Sequence, residues 1–248
     1  MIEMVKLRIF RYDPSKGFQY YADYDVPMYY ENMTILDALL YIKEELDPSL
    51  NFRYACKAGL CGSCGMRVNG REVLACQTRI KWFEKSKVII EPLSNYPVIR
   101  DLVVDFEEFF KKHASIKPYI IRNDEEKFDK EYLQTPSERE EFIQAATCIN
   151  CGLCYSACPT VSADYQFLGP HALAQAYRYI MDTRDSEPKV RLTIIDNPHG
   201  LWRCHFIGSC SFVCPKGVDP ALLIQKVKRF FLLGNRMLKK RGLALLKY

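Results

Sequence analysis

Residues 148 to 159 read CINCGLCYSACP, and residues 204 to 215 read CHFIGSCSFVCP. The two runs align position for position. In the first, cysteines occupy the first, fourth, seventh and eleventh places and a proline follows, whereas the fourth place of the second run holds Ile207. With a third stretch at residues 56 to 76, these runs contain all eleven cysteines of the chain. What they bind therefore decides the fold.

The first run has the spacing C-x2-C-x2-C-x3-C-P of bacterial ferredoxins. In these proteins the first three thiolates bind one 4Fe-4S cluster, and the fourth binds the neighbouring cluster. Cys214, which precedes Pro215, occupies the place in the second run that Cys158 occupies in the first. The exchange of fourth ligands predicts a 4Fe-4S cluster with these four ligands: Cys148, Cys151, Cys154 and Cys214.

The second site of the pair lacks one thiolate. It receives Cys204 and Cys210 from its own run and Cys158 from the first, and Ile207 stands where the remaining ligand is expected. An isoleucine side chain cannot bind iron, and three ligands hold three irons, so we predict a 3Fe-4S cluster. The alternative is a degenerate 4Fe-4S site in which water takes the place of the missing thiolate.

The third stretch has the spacing C-x4-C-x2-C followed by a more distant cysteine, the start of the plant-type 2Fe-2S pattern. Its glycines (Gly59, Gly62 and Gly65) allow the backbone to curl around a cluster and direct N–H groups at sulfur. Zinc is the alternative, although zinc sites favour two separated C-x2-C pairs. The predicted 2Fe-2S ligands are Cys56, Cys61, Cys64 and Cys76.

Charge is distributed unevenly along the 248 residues. The net charge is +5, yet the residues from Ala221 onward contain eight basic side chains and no acidic one, so the rest of the chain is slightly acidic. This distribution gives little support to nucleic-acid binding by the body of the protein. No apolar stretch approaches the length of a membrane-spanning helix, and the N-terminus lacks the apolar core of a secretory signal. We expect a reducing compartment, in which thiolates bind metal.

Hydrophobic periodicity divides the chain near residues 95 to 101. The N-terminal part alternates as a hairpin at residues 5–9 and 18–26, continues with a helix that Thr34 caps and that has Leu46 on its apolar face, and closes with a strand at 87–91. Beyond the boundary the period becomes helical. Helices are predicted from Asp101 through Phe110, at 138–146, at 171–182 and from Pro220.

At this point the residues resemble a known family. The chain is similar to the iron-sulfur subunit of succinate dehydrogenase and quinol:fumarate reductase in the order of its three cysteine clusters and in the isoleucine of the second run. It is also similar in four stretches: YACKAGLCGSCGMRVNG, RDLVVD, KPYI and CPKGVDP. The likeness extends over essentially the whole chain. Within the family, KPYII, CINCGLCYSACP and VDPA favour the fumarate reductase side.

The resemblance implies an α+β fold, with a β-grasp 2Fe-2S ferredoxin domain at residues 1–98 and an all-α helical ferredoxin domain at 99–248. It also implies three partners in electron flow: a flavoprotein subunit with covalent FAD, one or more membrane anchor subunits, and the quinone that the anchor carries, often with haem b. The chain would lie peripherally on the cytoplasmic face of the inner membrane. The implied reaction interconverts succinate and fumarate, and no residue of this chain is expected to be catalytic.

The resemblance places His205, Gln225 and Lys228 near the quinone, and Gln225 and Lys228 are similar to residues of menaquinol-linked fumarate reductases. Ubiquinone-type succinate dehydrogenases have a tryptophan shortly after the proline of the first run, where this chain has residues 160–163, TVSA. His205 alternatively tunes the cluster potential, and Lys228 alternatively meets a lipid phosphate. Two other functions stay open: an electron wire of another flavoenzyme, of the glycolate oxidase or heterodisulfide reductase type, and a zinc-stabilised interaction module.

Overall fold

The computed structural model describes residues 3–83, 87–123 and 131–232. Its contacts form two compact units. The N-terminal unit comprises the chain up to Glu107 together with Ile149–Ala157, and the C-terminal unit comprises Glu108–Cys148 and the chain from Cys158 onward. Most of the first ferredoxin-type run therefore folds with the N-terminal unit. The predicted division between residues 98 and 99 stays a prediction.

A five-stranded sheet forms most of the N-terminal unit. Its strand order is β2-β1-β5-β3-β4; β1 pairs antiparallel with β2 and parallel with β5. The predicted hairpin and closing strand are present in this sheet, while β6 and β7 form a separate two-stranded ribbon. The strands are β1 Met4–Asp13, β2 Phe18–Pro27, β3 Gly65–Val68, β4 Arg71–Leu74, β5 Val88–Glu91, β6 Val98–Arg100 and β7 Val103–Val104.

One helix, α1 (Ile35–Tyr41), follows β2 and buries Ile35, Leu36, Ala38 and Leu39 in the N-terminal unit. Thr34 caps it as predicted: the Thr34 hydroxyl accepts the Asp37 N–H at 3.2 Å, and the Asp37 carboxylate accepts the Thr34 N–H at 2.9 Å. The helix continues as a π-helical turn, Ile42–Leu46. The extra residue in this turn rotates the chain, so Leu46 is 46% exposed and its predicted place on the apolar face is wrong.

The C-terminal unit is helical, with α7 at its centre. α7 contacts α4, α8 and α10 and buries nearly every side chain it carries. The helices are α2 Glu107–Ser115, α3 Pro136–Glu140, α4 Ile143–Ala146, α5 Leu153–Ser156, α6 Pro159–Ala163, α7 Pro170–Met181, α8 Pro188–Ile195, α9 Ser209–Phe212 and α10 Pro220–Leu232. Of these, α5 belongs to the N-terminal unit and α2 begins at the boundary.

Two helix predictions need correction. The chain is not helical from Asp101 to Phe106, because Asp101 adopts a left-handed conformation with a φ of 46° and Val103–Val104 pairs with β6. The predicted helix at 138–146 is broken into α3 and α4. Phe142 lies at the break with a φ of −123°, outside the helical region, and its side chain is buried.

A buried arginine in α8 holds the KPYI stretch, residues 117–120, in place within the C-terminal unit. The Arg191 side chain is fully buried, pairs with Asp185 at 2.8 Å, and donates to the carbonyls of Lys117 and Tyr119. A charge removed from water in this way needs such partners. The stretch is therefore held by its backbone carbonyls, which any sequence supplies.

None of the helices in the described ranges combines the length and apolarity needed to cross a membrane. The predicted basic tail begins in α10, where Lys226, Lys228 and Arg229 lie. Its remaining basic residues, from Arg236 to Lys247, fall outside the described residues.

Arg11 in β1 is the most connected buried cation of the N-terminal unit. Its guanidinium donates to Asp101 at 2.9 Å, to Ser49 at 2.8 Å and to Asp47, and its side chain is 6% exposed. Asp101 is itself buried. The network joins β1 to the turn after α1 and to the turn between β6 and β7.

Replacing Arg11 by methionine would leave the buried Asp101 carboxylate without its cation. We expect Arg11→Met to lower the free energy of unfolding by about 3–5 kcal/mol, measured by chemical denaturation of the purified full chain. Arg8→Met on the same strand is the matched control, because the Arg8 side chain is 44% exposed and lies 3.8 Å from Asp23. It should cost about 1 kcal/mol or less. Equal losses in the two variants would contradict the role of the Arg11 network.

Candidate iron-sulfur cluster sites

The four cysteines of the stretch at residues 56 to 76 converge in the N-terminal unit. The Cys56 backbone N–H lies 3.5 Å from the Cys61 sulfur, and the Cys64 thiol interacts with the thiols of Cys76 and Cys61. Cys76 follows the β3-β4 hairpin in the sequence. The pairing of β3 with β4 brings it back next to the loop that holds the other three cysteines, where the Ala75 N–H donates to the Cys64 carbonyl at 3.0 Å. The structure therefore brings the predicted set together.

Backbone N–H groups surround the sulfur of Cys56. Ala58, Leu60 and Cys61 donate to it at 3.3–3.4 Å. Donors directed at thiolate sulfur stabilise the anionic form and tune the potential of a bound cluster. The donors are not the glycines, whose contribution is a left-handed backbone, with a φ of 67° at Gly59 and 75° at Gly62. This donor set fits an iron-sulfur cluster better than an uncharged packing role.

The thiols of this loop differ in acidity. Hydrogen bonds, chiefly from Ser63 and Cys56, lower the pKa of Cys61 to about 6, whereas burial raises the pKa of Cys64 to about 12. Iron binds thiolate, and coordination to a cation deprotonates a thiol outright. Before metal binds, the Cys61 thiol therefore ionises more readily than the Cys64 thiol.

The two ferredoxin-type runs have the same local backbone. Asn150 and Phe206, at equivalent positions, are left-handed with φ of 52° and 58°. Gly152 and Gly208 follow with φ of 77° and 86°, and each precedes a four-residue helix, α5 or α9. In both runs the N–H groups three and four residues after the glycine donate to its carbonyl at 3.0 or 3.1 Å. Ile207 therefore occupies the backbone position that Cys151 occupies in the first run.

The three cysteines predicted for the 3Fe-4S cluster line one cavity in the C-terminal unit. Cys158, Cys204 and Cys210 share its wall with Ile207, His205 and Phe206. Burial raises the pKa of the Cys158 thiol and raises that of Cys210 to about 12. Backbone N–H groups at the start of α6 donate to the Cys158 sulfur. Three thiols thus line one cavity, and Ile207 stands where a fourth ligand would be; the three-iron assignment stays a prediction.

The ligands predicted for the 4Fe-4S cluster are divided between the units. Cys151 and Cys154 belong to the N-terminal unit, and Cys148 and Cys214 to the C-terminal unit. The assignment of this set stays a prediction. Among the described residues, no group of three or more His, Cys, Asp or Glu side chains has the geometry to hold a single metal ion.

The residues predicted near a quinone all lie in the C-terminal unit. His205 is exposed at the cavity, and the Lys228 ammonium donates to the Cys204 carbonyl at 2.6 Å. Gln225 is half-buried in α10, where its amide nitrogen is buried without a hydrogen-bond partner in the described part of the chain. The structure thus links Lys228 directly to the second run.

Sequence reasoning missed the residues that support the first run. Ser94, Asn95 and Tyr96 donate to residues of that run from the segment after β5. It also missed Phe206, which is 57% exposed at the cavity that Cys158, Cys204 and Cys210 line. Nothing in the local pattern SNYP identifies such a support, because each bond joins residues about sixty positions apart.

Models of two protein families match the chain. One, described as a 2Fe-2S iron-sulfur cluster binding domain, matches residues 6–111, and the other, a 4Fe-4S dicluster domain, matches residues 144–218. The fumarate reductase iron-sulfur subunit of Mycobacterium tuberculosis is 45% identical over 230 residues, which cover 92% of this chain and 93% of the relative. The chain belongs to the family of fumarate reductase and succinate dehydrogenase iron-sulfur subunits.

Another relative and a solved structure are also similar to this chain over most of its length. The fumarate reductase iron-sulfur subunit of Haemophilus influenzae is 43% identical over 238 residues, covering 91% of this chain and 92% of the relative. A chain of the solved Mycobacterium smegmatis Sdh1 complex in the apo form superposes with a TM-score of 0.84 at 26% identity, covering 95% of this chain and all of that one. Family membership confirms the predicted order of a 2Fe-2S ferredoxin domain followed by a helical 4Fe-4S ferredoxin region.

Gly152 and Gly208 allow the shared turn to be tested at two equivalent positions. A Cβ at Gly208 would meet no atom within 4 Å, whereas one at Gly152 would lie 2.5 Å from the Tyr96 hydroxyl and 2.6 Å from the Phe106 ring. Gly208→Ala should cost about 1–2 kcal/mol from left-handed backbone strain alone. Gly152→Ala should cost a further ~1–3 kcal/mol from overpacking. Thermal unfolding of both variants measures the difference, and equal midpoints would contradict it.

Proposed function

We propose that this chain is the electron-transfer subunit of a membrane-associated oxidoreductase that interconverts succinate and fumarate. In this role it passes electrons between FAD on a flavoprotein subunit and quinone held by a membrane anchor. The observation that carries the proposal is the cavity that Cys158, Cys204 and Cys210 line with Ile207, because three thiols without a fourth ligand would suit a three-iron cluster beside the 2Fe-2S and 4Fe-4S domains. The relatives do not favour an electron wire of another flavoenzyme.

Each group of cysteines would hold one cluster. Cys56, Cys61, Cys64 and Cys76 would bind 2Fe-2S; Cys148, Cys151, Cys154 and Cys214 would bind 4Fe-4S; and Cys158, Cys204 and Cys210 would bind 3Fe-4S. Such clusters accept and release single electrons. The protein supplies N–H donors to sulfur, burial, and the ligand number at each site.

Electrons would pass between this chain and the quinone at the proposed 3Fe-4S site. Lys228 is bonded to the Cys204 carbonyl and retains further N–H donors. His205 stands exposed beside the same cysteine, and Gln225 adds a buried amide nitrogen that has no partner among the described residues. These groups match the carbonyl oxygens of a quinone in hydrogen-bonding character. Haem b, where present, would belong to the anchor.

The complex would place this subunit on the cytoplasmic face of the membrane. Basic residues of α10 and of the segment that follows it suit an anionic lipid surface. The chain would remain peripheral and rely on the anchor subunit or subunits for attachment.

Purification of the native complex tests the proposal. We expect the chain to copurify with a flavin-containing subunit, and the complex to oxidise quinol with fumarate or reduce quinone with succinate. Assays in both directions, with menaquinone and ubiquinone analogues, identify the physiological pair. A complex without flavin that turns over neither dicarboxylate would contradict the proposed function.

Replacement of Ile207 by cysteine restores the missing thiolate at a position whose backbone matches that of Cys151. We expect Ile207→Cys to convert the three-iron cluster into a four-iron one and to lower its reduction potential. The oxidised 3Fe-4S signal in electron paramagnetic resonance (EPR) spectra should disappear. Ile207→Val is the control, since valine fits the same place and cannot bind iron. Persistence of the three-iron signal in the cysteine variant would show that the register of the two runs is wrong.

A further inference from the structure

Two glycines of the first cysteine loop contact the first ferredoxin-type run, and both partners belong to the N-terminal unit. A Cβ built on Gly62 would lie 2.8 Å from the Cβ and 3.0 Å from the Cα of Cys151. One built on Gly65 would lie 3.1 Å from a methyl group of Leu153 and 3.3 Å from the Cys151 carbonyl oxygen. At Gly62 the loop therefore lies so close to the run that a side chain there would collide with Cys151 and with the Ile149 carbonyl oxygen, 3.1 Å away.

Hydrogen bonds from the segment after β5 fix the run in this position. The Ser94 N–H donates to the Ser156 hydroxyl at 2.8 Å, and that hydroxyl donates to Glu72 in β4 at 3.0 Å. The Asn95 amide donates to the carbonyls of Tyr155 and Ser156 at 3.0 and 2.8 Å. These bonds join the run to the sheet that also carries the loop.

Two aromatic side chains also hold the run at Gly152. The Tyr96 hydroxyl donates to the Gly152 carbonyl at 3.0 Å, and the Tyr96 ring packs against the Phe106 ring at a tilt of 43°, with centroids 4.7 Å apart. Gly152 is buried against the Tyr96 hydroxyl and the Phe106 ring, so movement of the run away from these side chains would break this packing. These aromatic contacts add to the hydrogen bonds from Ser94 and Asn95 that hold the run in place.

We propose that the contact at Gly62 sets the distance between the first and second clusters, and with it the rate of electron transfer between them. Gly62 lies between Cys61 and Cys64, and the residue it touches is Cys151, so the contact joins the proposed ligands of both clusters. Electron transfer slows steeply as donor and acceptor separate. Glycine permits the closest approach of two backbones. Gly62 is thus a positioning residue, and this inference rests on the proposed cluster assignment.

Gly62→Ala in the assembled complex is the direct test. The added methyl would meet backbone of the run, so the loop and the run must separate. We expect both clusters to assemble, as shown by iron content and visible circular dichroism. The magnetic interaction between the reduced 2Fe-2S and 4Fe-4S clusters, measured as spin-relaxation enhancement by EPR, should weaken. Electron redistribution between them after rapid photoreduction should slow several-fold.

Gly70→Ala is the matched control. Gly70 has a φ of 78°, close to the 75° of Gly62, but a Cβ there would meet only the Arg67 side chain at 3.9 Å. It therefore imposes a similar backbone strain without touching the run. We expect its magnetic interaction and transfer rate to match those of the unmodified complex.

Gly65→Ala is the second test of the positioning role if Gly62→Ala fails to assemble the 2Fe-2S cluster. The backbone at Gly65 is outside the left-handed region, so alanine adds the contact without the strain. A smaller weakening of the magnetic interaction is expected, because the Leu153 methyl can rotate away. In that case an unchanged interaction in Gly65→Ala would overturn the inference.

Failure of the inference is distinguishable from failure of the proposed function. An unmodified complex that lacks 2Fe-2S or 4Fe-4S signals would refute the cluster assignment itself. Intact signals together with an unchanged magnetic interaction in an assembled Gly62→Ala would refute only the positioning role. An equal effect in Gly70→Ala would refute it as well, since the cause would then be strain and not contact.

Discussion

A left-handed turn in front of a short helix is the constraint on which both ferredoxin-type runs depend. In both runs the backbone turns just before the fourth position, and this turn holds a residue other than glycine, Asn150 or Phe206, at positive φ. A residue other than glycine pays of order 1–3 kcal/mol for such a conformation unless its surroundings enforce it. The supports of each run are therefore part of its ligand geometry.

Because the turn is set by backbone, ligand number can change without a change in fold. Ile207 keeps the conformation of the position that Cys151 occupies, yet it removes a thiolate and leaves an apolar side chain that is 59% exposed. A three-iron cluster at this site would differ from a four-iron one in both charge and iron content. The bond from Lys228 to the Cys204 carbonyl then brings a cation of α10 to the site where the ligand was lost.

Local patterns in the sequence predicted the elements that depend on local physics. The β1-β2 hairpin follows from strict alternation, and the Thr34 cap follows from the carboxylate three residues later. The turn at Asp101 was missed because its left-handed backbone is stabilised by Arg11 and Asn51, distant in sequence. For the same reason the cysteine sets could be proposed from spacing, whereas the support from Ser94 to Tyr96 could not.

The glycines of the first loop show why spacing alone underdetermines a role. All three were interpreted as freedom for the chain to curl and present N–H groups, yet the donors to Cys56 are other residues. A Cβ at Gly59 would press on the Gln77 side chain, which can yield, whereas one at Gly62 would press on the backbone of a proposed ligand. Curling requires positive φ at both positions. Only the neighbour at Gly62 adds a second requirement, closeness to another redox site, and that requirement is visible only when the chain is folded.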